Sequence, residues 1–201
     1  MRRLSFRPAV TLRGRTFKGL RGWAGKPLHP PLTDIPVGAY MIAAAFDVIS
    51  IIWQDEEWAR DFFRAATFVL IAGAAVSLLT AATGAWDWLK STEPGTQVRR
   101  EANAHALTMV TVTVLVLVNI ALRTLAYGDD MHSGVVVVAL SVVVAVLTVL
   151  GGTLGGSLVY DYGFNVETAG DHPAYHRSER DVLPGAEVEQ ATGQPSEPAR
   201  V

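Results

Sequence analysis

Histidine is the side chain best suited to hold a metal or move a proton near neutrality, and this chain has five. His29 lies in a proline-rich run, Lys26-Pro27-Leu28-His29-Pro30-Pro31-Leu32-Thr33-Asp34-Ile35-Pro36. His105 opens a long apolar stretch, and Asp87 closes another within Trp86-Asp87-Trp88. The apolar segments place His29, Asp34, Asp87 and His105 at one depth. Two histidines on different helices at one depth are the minimum for bis-imidazole ligation of haem b. With a carboxylate, the same pair is a candidate zinc site. Without a cofactor, the four residues form a hydrogen-bonded latch between helices, with Asp34 capping the first helix ahead of Pro36. His132 falls in a polar loop. His172 and His176 are four apart, but Pro173 between them breaks a helical metal site.

A second constellation lies deeper. Asp47 interrupts one apolar run at its middle. Asn119 and Arg123 share a helical face with His105, Thr108 and Val112 on another. An ionisable group inside a bilayer is expensive and marks either function or helix pairing. The spacing predicts an Asp47–Asn119–Arg123 network. It serves as glue between helices or as part of a proton or ion path.

Other chemistries are excluded. There is no cysteine, so disulfides, thiolate metal sites and iron–sulfur ligation do not arise. There is no His-Glu-x-x-His run and no Gly-x-Ser-x-Gly turn. The reading leans against an enzyme. A net charge of −2 gives no reason to expect nucleic acid.

The elements that must position these residues follow from hydropathy. Half of the residues are hydrophobic, and most of them fall between Ile35 and Tyr160. Four apolar segments, about 35–53, 62–86, 104–125 and 134–160, are long enough to cross a bilayer, which takes about 20 residues. Val and Ile dominate the last two, yet their length favours helix over strand, and a helix satisfies its own backbone in lipid. Gly151, Gly152, Gly155 and Gly156 form overlapping small-xxx-small pairs that let a neighbouring backbone or a flat ligand approach closely. The expected fold is therefore all-α, an integral membrane bundle of four transmembrane helices over residues 34–166. An irregular basic segment, 1–33, precedes it and a disordered tail, 167–201, follows it.

Residues 1–33 carry eight basic side chains and no acid. The loop from Lys90 to Arg100 carries three basic residues, and that from Gly128 to Ser133 none. Basic excess marks the cytoplasmic side, so both termini are expected in the cytoplasm, with lipid as the first partner of the bundle. No removable signal peptide is expected.

The order of motifs also resembles a known family. His29-Pro30 through Asp34-Ile35-Pro36-Val37-Gly38, Phe46-Asp47, Thr83-Gly84 with Asp87-Trp88, and Arg99-Arg100 before His105-Ala106 are followed by Arg123 and by Gly151-Gly152 through Gly155-Gly156 to Tyr160. Together, over residues 26 to 166, they resemble bacterial four-helix membrane proteins grouped as domain of unknown function 2231. The resemblance implies a multi-pass bundle in a bacterial inner membrane. Its members also occur joined to or beside Rieske-type and cytochrome-type redox modules, which implies redox or other membrane-complex subunits as partners. Lacking cysteine, this chain has no Rieske domain of its own.

Three functions compete. An accessory or scaffolding component of a membrane complex needs no cofactor. A b-type haem electron-transfer protein would use His29 and His105, with segment-four glycines against the porphyrin. A small ion pathway would run through Asp47, Asn119 and Arg123.

Overall fold

The computed structural model describes residues 27–166. The basic segment up to residue 26, and the tail from residue 167 with His172 and His176, lie outside the described residues. Four helices make up the described chain: α1, His29–Ile52; α2, Ala59–Ser91; α3, Gln97–Leu125; and α4, Val135–Tyr160. Each is long and apolar enough to cross a membrane. The shortest, with 24 residues, is about 36 Å long, against a hydrocarbon core of about 30 Å.

Three helix ends run beyond the apolar windows. The first helix begins at His29, in the stretch expected to be irregular, with Leu28 rather than Asp34 at the N-cap. Prolines cost little in a first turn, whose N–H groups have no helical partner. Pro36 is different, because it leaves the Leu32 carbonyl without its helical donor. The Thr80 hydroxyl of α2 shares its one proton between that carbonyl, at 3.2 Å, and the Val76 carbonyl of its own helix, at 3.0 Å. The other two extended ends, α2 to Ser91 and α3 from Gln97, meet at one turn. Thr96 caps α3 by accepting from the Arg99 backbone N–H at 3.2 Å. The Arg99 guanidinium lies 3.5 Å from the Trp88 ring centre. It also donates to Thr92 Oγ1 at 2.6 Å and to the Trp88 carbonyl at 3.3 Å. A cation on the last carbonyls is a C-terminal cap.

Short connections make consecutive helices antiparallel neighbours. The hairpins α1–α2 and α3–α4 pack most extensively, and α1 also meets α4 while α2 meets α3. Helices α1 and α3 therefore stand diagonally across the bundle. Burial follows a seam of alternating three- and four-residue steps, as in Ala59, Phe63, Ala66, Leu70, Gly73, Ser77 and Thr80 of α2 and Val137, Ser141, Val144, Thr148 and Gly151 of α4. This is the spacing of left-handed helix packing. Large apolar side chains such as Phe68, Leu78, Leu107 and Val146 are exposed on the outside, where they face lipid.

The two hairpins repeat one another. Buried Pro36, Tyr40, Ala43 and Asp47 of α1 correspond, at a constant interval of 76, to buried Val112, Val116, Asn119 and Arg123 of α3. His29 and His105 are separated by the same interval. Each buried position of α4 likewise has a buried counterpart in α2 at one fixed interval, from Ala66 and Val137 to Asp87 and Leu158. Helix neighbours and these inward positions are thus kept when α1 is exchanged with α3 and α2 with α4. A two-fold axis along the bundle gives this pattern, the direct-repeat arrangement known among membrane bundles.

Candidate functional site

At one end of the bundle, the His29 and His105 ring centres are 6.4 Å apart with their planes at 84°. Though their helices are diagonal, both rings turn inward and meet. Their settings match. His29 Nδ1 contacts the Thr80 carbonyl at 2.9 Å, and His105 Nδ1 contacts the Gly151 carbonyl at 2.8 Å. A carbonyl only accepts, so each Nδ1 carries the proton and donates, and in the neutral ring each Nε2 keeps its lone pair. Four residues beyond each carbonyl stands a glycine that seats the ring. A methyl group on Gly84 would lie 2.7 Å from His29 Cε1, and one on Gly155 would lie 3.1 Å from His105 Cε1. Both rings are half-buried.

The other members of the expected cluster behave differently. Asp87 is buried at the same end, close enough to interact electrostatically with His29. Asp34 is exposed. It lies five residues after His29, about 140° around the helix from it, so it neither caps α1 nor joins the histidines. Among the described residues, no group of three or more His, Asp or Glu side chains is placed to hold a metal. The carboxylate-completed zinc site is therefore not assembled there.

The glycines of α4 divide by face. Gly155 seats His105, and Gly151 faces Met109, whose sulfur would be 2.3 Å from an added methyl group. Gly152 has nothing within 4 Å of such a group, and Gly156 meets only Tyr160. The inward glycine face, expected as an opening for a porphyrin, is filled by side chains of α3.

Toward the opposite end, Asp47 and Arg123 form a fully buried ion pair. Asn119 joins it, and so do residues that hydropathy alone did not single out. All five guanidinium N–H groups have acceptors. Nε donates to Asn119 Oδ1 at 2.9 Å. One terminal nitrogen donates to the Phe63 carbonyl at 3.3 Å and Thr67 Oγ1 at 3.1 Å. The other donates to Asp47 Oδ2 and, at 3.4 Å, to Ser141 Oγ. Asp47 also accepts from Ser141 at 2.5 Å and from Ser133 at 2.7 Å. The Asn119 amide donates to Ser141 Oγ at 2.9 Å. Ser50 closes the rim, accepting from the Ser133 N–H at 2.9 Å and donating to the Ala59 carbonyl at 2.7 Å. All four helices contribute. Ser141 occupies the same three–four seam as Gly151 and Gly155, a signal that could have found it in the sequence. Ser133 sits in a loop and gave no such signal.

Chemically, the two ends differ. The histidine end presents two preoriented, half-buried imidazoles. The arginine end is closed, with its charges neutralised and its donors used. No curated protein and no solved structure matches the chain. The family described as "Predicted membrane protein (DUF2231)" matches residues 25–168. That match takes in all four helices and both polar centres, and the chain belongs to this membrane-protein family.

Proposed function

We propose that the chain is an accessory, scaffold-type component of a bacterial plasma-membrane complex, with both ends of the helical unit on the cytoplasmic side. The observation that carries this reading is the closed Asp47–Arg123 network. An ion or proton path needs a group that can exchange with water or a mobile ion. Asp47 and Arg123 are 0% and 1% exposed, and the guanidinium has no spare N–H. The charges instead fix the register of four helices, a frequent use of polar groups between membrane helices. Such a unit leaves its outer apolar faces for lipid and for other membrane-embedded subunits. Lys90, Arg99 and Arg100 where α2 meets α3, against no lysine or arginine between α3 and α4, support the orientation.

Photo-crosslinking residues at the outward positions Leu78 and Leu107, in the full chain in its native membrane, test the reading. A protein adduct of fixed stoichiometry is expected from at least one face. Lipid adducts alone at both faces would overturn it. The cysteine-free sequence allows a clean test of orientation. Asp129→Cys should react with an impermeant thiol reagent in intact cells, and Glu93→Cys only after permeabilisation. The reverse pattern would contradict the assignment.

A further inference from the structure

We infer that His29 and His105 together bind one bare transition-metal ion, of the copper(I) type, through their Nε2 atoms on the two-fold axis of the bundle. This goes beyond a scaffolding role, which needs no ligand.

Four observations converge. The first is preorientation. A metal-bound histidine almost always gives its other ring N–H to a backbone carbonyl or carboxylate, which fixes the tautomer and aims the lone pair. Both rings do this, on equivalent carbonyls of α2 and α4. The second is spacing. A metal about 2.0 Å from each imidazole nitrogen sets the ring centres about 6 Å apart, and they are 6.4 Å apart. The third is equivalence. The same construction, an Nδ1 on a carbonyl and a ring edge on the glycine four residues later, occurs on both sides.

The fourth is the donor set, which selects the ion. It offers two imidazole nitrogens without a third His, Asp or Glu among the described residues. Zinc asks for three or four protein ligands. Copper(I) is soft and accepts imidazole and thioether donors. A thioether stands one turn away: Met109 follows His105 by four residues and packs on Gly151, whose carbonyl accepts from His105. The filled glycine face around Gly151 and Gly155 favours a bare ion over a metal carried in a macrocycle.

The test is an anaerobic titration of the detergent-purified full chain with copper(I), in competition with a chromogenic copper(I) chelator. One equivalent per chain should leave the chelator. His29→Asn and His105→Asn should each weaken retention by at least about 100-fold, and by similar amounts, because the ligands are equivalent. Asparagine keeps an N–H donor for the carbonyl and removes the aromatic nitrogen. Circular dichroism showing intact helices then separates lost ligation from lost folding. X-ray absorption at the copper edge should show two nitrogen neighbours near 2 Å. The proposal falls if the wild-type chain takes no copper from the chelator, or if both folded variants retain it as tightly as wild type. It also falls if hemin, offered in parallel, gives a low-spin bis-imidazole spectrum while copper is refused, since the nitrogens would then serve a macrocycle.

Discussion

Removing the guanidinium from the closed end should be among the most costly single changes the bundle can suffer. In Arg123→Met, Asp47 keeps the hydroxyls of Ser133 and Ser141 but loses its counter-charge at a site with no exposure. Two magnitudes compete. A typical polar contact between membrane helices contributes about 0.6 kcal/mol, whereas orphaning one partner of a buried ion pair costs about 3–5 kcal/mol. The second governs here, because what remains is an uncompensated charge rather than an unmade hydrogen bond. The folded-to-unfolded ratio should therefore fall by a factor on the order of 10²–10⁴. Equilibrium unfolding in mixed detergent micelles, followed by circular dichroism, reads this directly. The double variant Asp47→Leu/Arg123→Met should return to within about 1–2 kcal/mol of wild type, since apolar replacement of a whole buried pair is often neutral. A single variant losing less than about 1 kcal/mol, or a double variant as unstable as the two singles added, would refute the reasoning.

Further outcomes follow from local geometry. Gly84→Ala places a methyl group 2.7 Å from His29, and Gly155→Ala places one 3.1 Å from His105; each should lower the unfolding midpoint, Gly84→Ala the more, at a cost of about 1–3 kcal/mol. Gly152→Ala, with nothing within 4 Å, should be neutral or stabilising by up to about 1 kcal/mol. Thr80→Val removes the donor to the carbonyl that Pro36 leaves free and should cost about 1–2 kcal/mol. That loss should shrink when Pro36→Ala restores the helical donor, and an unchanged loss in the double variant would show that the carbonyl was not its cause.

The four helices were legible because they are long and apolar, and because their flanks differ in charge. Their inward faces were not. In lipid the outer face is as apolar as the core, so hydrophobic periodicity carries little signal; Leu78 and Leu70 look alike in sequence, yet the first is exposed and the second buried. Polar residues were the better guide. Asp47, Asn119 and Arg123 were placed together from cost and helical spacing alone, as they stand in the structure. Asp34 misled because a proline-rich start reads as extended, whereas prolines in a first turn are compatible with helix. The hairpin repeat stayed hidden because its equivalent positions carry different chemistry: Asp47 against Arg123, Ala43 against Asn119, Thr80 against Gly151. Burial reveals the equivalence that residue identity conceals. His29 with His105, and Gly84 with Gly155, keep the same residue at equivalent positions.

The most direct test of the central claim, that the buried charges lock the helices rather than conduct, is proton flux in sealed proteoliposomes under an imposed pH gradient and potential. The account predicts the same leak as empty vesicles, for wild type and for Asp47→Asn alike. A flux above that of empty vesicles that disappears in Asp47→Asn would contradict it.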